Sequence, residues 1–396
     1  MLKFSMVARR NAELVPRVSN AFGDDAAQLA HAFHRGIPSY APTPLAALPA
    51  LAERLGVASI HVKDESQRFG LNAFKGLGGS YAIARVIADR LGIEPAELTY
   101  ELITSDEVRE QLGQLTFVTA TDGNHGRGVA WTAKMLGQRA VVYMPKGSAQ
   151  ERLENIRALG ATAEITDLNY DDTVRMASRV AKENGWVLVQ DTSWLGYEQI
   201  PTWIMQGYTT MALEAAGQLA DDGSGAPTHV FLQAGVGAMS GAVTGFLAAH
   251  YGPAKPTIVI VEPEGADCVF RTAQAADGAL HTVEGDLPTI MAGLACGEPC
   301  QVGWNMLGRY ADWFASVPDE VAARGMRVLG NPLDTDPRVV SGESGAATLG
   351  FVATLLDGQH GDEAAQLGLN ANSRILCFST EGDTDRENYR KVVWGF

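Results

Sequence analysis

The sequence predicts an α/β protein with two open, twisted sheets wrapped by helices, a smaller domain being inserted into a larger one. Three observations predict it. Strand-like and helix-like segments alternate between Leu115 and Tyr170, they alternate again between His229 and Glu262, and a late strand follows at residues 374–378. Such alternation indicates parallel sheets covered by helices, with right-handed crossovers.

The elements follow in order. The first forty residues read as irregular, with helix-like apolar spacing at Ala27, Leu29, Ala32 and Phe33. A rigid YAPTPL turn at 40–45 leads to a helix-like ALPALAERLG and a strand at 59–63, and SYAIARVIADRLG after Lys75 has helical periodicity. In the first alternating region a strand at 115–119 passes through Gly123 and Gly126 into a helix. A strand at 140–144, a helix from Ser148 to Leu159 and a strand at 163–166 complete it. In the second, a strand at 229–233 enters a glycine-opened helix from Gly235 to His250, then a strand at 257–262. DDGSGAP at 221–227 is a loop by composition. The larger domain is expected at 1–85 and 206–396 and the smaller at 86–205, with a ligand in the cleft between them.

With 396 residues the chain can bury an ample core, and 46% apolar with 19% charged residues is a globular composition. Its 31 basic and 46 acidic residues give a formal net charge of −15, which argues against nucleic acid and anionic membranes as partners. No apolar run reaches membrane-span length. The N-terminal MLKFSMVARRNAELV lacks the apolar core of a secretory signal. Four cysteines, Cys268, Cys296, Cys300 and Cys377, lack zinc-type spacing, so a cytoplasmic protein with reduced thiols and no metal is expected. Cys268 and Cys296 flank a loop-like stretch that would let them approach each other.

Chemistry is most concentrated in NAFKGLGGS at 72–80. A lysine is a nucleophile only when unprotonated, and Phe74, Leu77 and the small residues around Lys75 offer an apolar setting expected to depress its pKa. Such a lysine suits a Schiff base with an aldehyde cofactor, of which pyridoxal phosphate is the obvious candidate. An isolated Phe-Lys-Gly would be an ordinary surface lysine. The case rests on what the rest of the chain supplies: a phosphate cradle, a partner for the pyridine nitrogen, and acids or bases.

QAGVGAMSG at 233–241 follows a strand and opens a helix, so the turn over Gly235, Val236, Gly237, Ala238 and Met239 can aim backbone N–H groups at a phosphate. Its spacing is close to a dinucleotide fingerprint, and Glu262 at the end of the next strand stands where a ribose contact would fall. A position far from the first strand–helix unit, and a lysine with no nicotinamide role, favour a monophosphate. TATDGNHGRG at 119–128 also joins strand to helix, placing Thr121, Asp122, Asn124 and His125 at a sheet's carboxyl edge. Thr hydroxyls and backbone amides there suit a substrate carboxylate, and Asn124 suits a phenolic oxygen. Asp122 is a helix cap or else a base or ammonium binder. QDTSWLGYEQIPTWIMQGY at 190–208 sets Asp191 and Glu198 among aromatics in a Pro-interrupted stretch. Ser379 and Thr380 end the last strand, and a neutral hydroxyl there would leave a pyridine nitrogen unprotonated, which suits elimination.

Together these segments resemble, in the same order, pyridoxal phosphate enzymes of the tryptophan-synthase-β type (fold type II). Within that group the chain is similar to the diaminopropionate ammonia-lyase family, through KDESQRFGLNAFK at 63–75, YMPKGSAQER at 143–152, IMAGLACGEP at 290–299, MRVLGNP at 326–332 and SGESG at 341–345. The likeness runs from about residue 30 to the C-terminus. It implies that Lys75 carries the cofactor, with Phe74 beside it, that Gly235 to Met239 hold the phosphate, and that Asn124 lies near the phenolic oxygen. It places Thr121, Asp122 and Asp191 in the substrate pocket, and counting back from Gly382 favours Ser379 over Thr380 at the pyridine nitrogen. The broader group has a small neutral residue where this chain has Asp122, and a substrate bearing a β-ammonium would need an anion there.

The implied reaction takes 2,3-diaminopropionate and water to pyruvate and two ammonia, by way of an external aldimine and an aminoacrylate. Lys75 would be the base on one face and Asp122 on the other, with Asp191 or Asp122 holding the β-ammonium. The implied partner is a small amino acid, and a homodimer is expected from the resemblance alone. A serine or threonine dehydratase on the same fold is the alternative, against which the paired acids Asp122 and Asp191 argue. A nicotinamide-dependent oxidoreductase resting on the glycine turn, and a silent cofactor-binding regulator, are more distant readings.

Overall fold

A computed structural model describes residues 2–10 and 21–395; the irregular reading of residues 11–20 lies outside them. Its strands are β1 (Ser5–Ala8), β2 (Leu45–Ala47), β3 (Ser59–Asp64), β4 (Thr116–Ala120), β5 (Arg139–Met144), β6 (Thr162–Ile165), β7 (Val187–Leu188), β8 (His229–Gln233), β9 (Thr257–Pro263), β10 (Trp313–Val317) and β11 (Arg374–Ser379). The larger sheet runs β1-β10-β9-β8-β11-β3-β2 and the smaller β6-β5-β4-β7. All pairs in the smaller sheet are parallel, as are those among β10, β9, β8, β11 and β3, while β1 and β2 add antiparallel edges. Every residue of β8 is buried, the pattern of a strand covered on both faces. Parallel strands all end at one edge, and the loops carrying chemistry leave from that edge of each sheet.

Four strands were not expected from the sequence. β1 and β2 are short edges, β7 has two residues, and only Ala311 and Asp312 separate β10 from the helix before it, so no turn signal marks its start.

Seven helices position the site: α1 (Gly76–Leu91), α2 (Asn124–Met135), α3 (Gln150–Arg157), α4 (Gln199–Asp221), α5 (Ala238–Tyr251), α6 (Glu343–Leu355) and α7 (Arg386–Trp394). The expected break at Pro201 does not occur. It lies in the first turn of α4, where a missing N–H costs no intrahelical bond. Helix α1, which begins just after Lys75, is clamped between α2 and α4 through glycines at the crossings. A Cβ on Gly207 would lie 2.5 Å from Leu77 O, and one on Gly128 would lie 3.0 Å from Lys75 O. Backbone-to-backbone approach of this kind fixes where the lysine leaves its helix.

Beneath it runs a buried ionic network. Lys63 Nζ donates to Thr43 O (2.8 Å), Glu214 Oε2 (2.7 Å) and Gln218 Oε1 (2.8 Å). Arg68 bonds both Glu65 and Glu214 through paired contacts of 2.8–2.9 Å. Burial would raise the pKa of Glu214, but Arg68 and Lys63 outweigh it and hold it at about 2. Its stabilisation is therefore present above the ordinary value of 4.5 and lost as pH falls towards 2. Glu214→Ala leaves buried Lys63 without its carboxylate and Arg68 with Glu65 alone, and is expected to lower unfolding free energy by about 3–5 kcal/mol. Denaturant titration checks this, and a loss below about 1 kcal/mol would contradict a functioning network.

Candidate active site

At the carboxyl edges of both sheets lies a cleft lined by residues from both, a usual place for a small-molecule site. Lys75 reaches into it from the start of α1. Its Nζ donates to Asp191 Oδ2, a residue that follows β7. Asp191 Oδ1 accepts from Tyr170 OH at 3.4 Å and Gln190 Nε2 at 3.3 Å, and His125 Nδ1 stands 3.8 Å from Oδ2.

This pairing reverses the expectation for Lys75. Burial does push its pKa down, but the Asp191 carboxylate more than offsets that and the net shift is upward. Asp191 in turn is pushed up by burial, yet His125 and Lys75 hold it at about 2. Burial lowers the pKa of His125 itself, so at neutral pH the ammonium of Lys75 is the partner that keeps Asp191 ionised. An apolar local sequence cannot reveal an acid 116 positions away.

The glycine turn after β8 forms the opposite wall. The helix expected from Gly235 begins at Ala238, because residues 235–237 are spent on the turn and Gly237 adopts φ +89°. A Cβ on Gly235 would meet Leu294 Cα at 3.1 Å, Cys296 Sγ at 3.2 Å and Gly293 O at 3.2 Å. The first turn of α5 carries free N–H groups and the buried Ser240 hydroxyl, which has no partner among the described residues. An N-terminus with an idle hydroxyl, facing a lysine across one cavity, fits pyridoxal phosphate: the turn takes the phosphate and the amine the aldehyde. Gly235→Ala is expected to raise the apparent Kd of pyridoxal phosphate roughly tenfold, about 1.4 kcal/mol, by absorption titration of stripped protein. An unchanged Kd would place the phosphate elsewhere.

Asp122 is not a helix cap. The cap position of α2 is Gly123 with no side-chain bond, and Asp122 Oδ2 instead accepts from Arg152 Nη1 at 3.0 Å. Thr121 Oγ1 accepts from Gly123 N (2.9 Å) and Gly126 N (3.1 Å), holding the loop that presents Asp122. Asn124 Nδ2 donates to Glu381 Oε2, linking the loop to the segment after β11.

The cavity brings together Phe74, Lys75, Thr121, Asp122, Asn124, Asp191, the five residues Gly235 to Met239, and Thr380. Ser379 is not in the wall. It faces away and donates to Ser341 Oγ at 2.8 Å, whereas Thr380 Oγ1 accepts from Gln233 Nε2 at 2.7 Å and lines the cavity. Counting back from a glycine does not reveal which of two adjacent strand-end residues faces a ligand. Glu262, the acid in the dinucleotide reading, is buried and accepts from Val269 N (2.9 Å) and Phe270 N (2.6 Å), so it serves a helix start and no ribose.

Residues missed from the sequence include Gln233, Ser240, Ser344 and Glu381. Ser240 could have been found, since it falls one position beyond the glycine turn. Cys268 and Cys296 are both free and buried, and Cys268 Sγ lies 3.6 Å from Gly235 O, packed behind the turn. No helix among the described residues is long and apolar enough to cross a membrane.

Comparison with known proteins agrees with this geometry. A family model described as pyridoxal-phosphate dependent enzyme matches residues 37–370. The diaminopropionate ammonia-lyase of Escherichia coli strain K12 is 53% identical over 378 residues, 95% of this chain and 93% of its own. A crystal structure of the Escherichia coli lyase in complex with an aminoacrylate-PLP azomethine reaction intermediate superposes with TM-score 0.90 at 49% identity, covering 100% of this chain and 98% of that one. By contrast, the biosynthetic L-threonine dehydratase of Haemophilus influenzae is 24% identical over 355 residues, 89% of this chain and 60% of its own.

Proposed function

The chain belongs to the diaminopropionate ammonia-lyase family of pyridoxal-phosphate dependent enzymes, and on that footing we propose that it converts 2,3-diaminopropionate and water to pyruvate and two ammonia. The observation that carries this reading is the pair of carboxylates, Asp122 and Asp191, in the same cavity as Lys75. A hydroxyl leaving group has no need of two anions, whereas a β-ammonium does.

Bound pyridoxal phosphate supplies an electron sink that makes the substrate's Cα–H acidic. Lys75, the turn from Gly235 to Met239 with Ser240, Asn124 and Thr380 would hold it, Thr380 facing the pyridine nitrogen as a neutral hydroxyl.

The chain's own residues do the rest. Lys75 Nζ would be a neutral amine once the substrate's amino group takes its place on the cofactor, and in that form it accepts the Cα proton on its face of the site. Asp191 then stabilises the ammonium that results, since its carboxylate favours the charged form of Nζ. Asp122 serves the other face, which lets both stereoisomers react. The two carboxylates bind the β-amine as an ammonium, so that it departs as neutral ammonia. Thr121 and the backbone of its loop orient the substrate carboxylate. The larger unit at 1–85 and 206–396 and the smaller at 86–205 close on this cleft. Four buried, unpaired thiols support work in the cytoplasm, and a homodimer rests on the family likeness.

Counting products tests the reading. Two ammonia per pyruvate from diaminopropionate are expected, and one ammonia per pyruvate from serine with none from diaminopropionate would replace it with a dehydratase.

A further inference from the structure

Arg152 is the buried cation paired with Asp122. It lies on α3 with a buried side chain. Nη1 donates to Asp122 Oδ2 at 3.0 Å and Nη2 to Thr384 Oγ1 at 3.2 Å, on the segment after β11. Its stem passes under the loop that carries Asp122: a Cβ on Gly123 would lie 2.8 Å from Arg152 Cδ and 3.1 Å from Cβ. Asp122 makes no other side-chain hydrogen bond among the described residues.

We propose that Arg152 is a positioning residue that holds Asp122 by one carboxylate oxygen and leaves the other, Oδ1, for the substrate, so setting how well the D isomer is turned over. The inference rests on the proposed role of Asp122 as the acid of the second face. Three features support it. The guanidinium is planar and permanently charged, and Thr384 gives it a second anchor that stops it rotating about the Asp122 contact. The arginine stem and the loop backbone interlock, so the loop cannot shift without the stem. Glu381 and Asp385 also act on the guanidinium electrostatically, so Asp122 does not balance that charge alone.

The competing role is a bolt between the two units, with no bearing on which isomer reacts. A double-mutant cycle on the full-length, cofactor-loaded enzyme separates the two. R152M is expected to lower kcat for D-2,3-diaminopropionate about 30–100-fold with KM within about threefold, since misplacement by an ångström costs on this scale. The L isomer should lose no more than about threefold. R152K should recover part of the D activity, and D122N/R152M should be no slower on the D isomer than D122N alone, within about threefold. Additive losses in the cycle, or equal losses on both isomers, overturn the proposal. Should R152M fail to fold or load, R152K decides: a D-to-L ratio at least about fivefold below the parent's supports the assignment, and an unchanged ratio overturns it. A parent enzyme that releases pyruvate from neither isomer removes the functional reading and this inference with it, an outcome distinct from an unchanged ratio.

Discussion

Pyruvate formation is expected to fall by at least roughly 10³-fold when Lys75 is replaced by alanine, because one residue supplies both the tether and the base. The visible absorption of lysine-bound cofactor should disappear with it. Alanine also leaves Asp191 as a buried carboxylate without its nearest cation, which adds a folding contribution to the loss. Lys75→Arg separates the two effects. Arginine keeps a cation beside Asp191 but cannot lose its proton, so the variant should be as stable as the parent and equally inactive. A small exogenous amine should restore some turnover to the alanine variant. Turnover of Lys75→Ala within about tenfold of the parent would contradict the assignment.

Asp122→Asn should cost the D isomer roughly 10²–10³-fold in kcat/KM and the L isomer less than about tenfold. An asparagine keeps the shape and can still accept the Arg152 bond, but it neither takes a proton nor holds an ammonium. Glu381 and Asp385 still act on the Arg152 guanidinium, so the fold should tolerate the change. Steady-state kinetics with each isomer check it. Equal losses on both would remove the second-face base and leave Asp122 as an ammonium binder only.

Much of this site is written locally in the chain. The strand-then-glycine pattern before α5, and the loop from Thr119 to Gly128 before α2, identify themselves because each function occupies one short segment. What escapes local reading is pairing between segments. The charge on Lys75 depends on Asp191, brought beside it by the meeting of α1 with the end of the smaller sheet. The partner of Asp122 is Arg152, thirty positions on, and nothing near Asp122 announces it. Ser379 and Thr380 look alike in sequence and are separated only by strand register, which pairs Ser379 with Asp64 and turns Thr380 to the cavity. Edge strands β1 and β2 went unread because two short antiparallel ribbons carry too few residues to show a period.

The most direct test of the central claim is kcat/KM of the purified, cofactor-loaded enzyme for D- and L-2,3-diaminopropionate beside L-serine and L-threonine. At least about 10²-fold preference for either diaminopropionate isomer, with pyruvate as product, is the predicted result, since a buried anion pair discriminates by several kcal/mol. Preference for serine or threonine would keep the fold, the glycine turn and Lys75, and would contradict the reading of Asp122 and Asp191 as the site of a leaving ammonium.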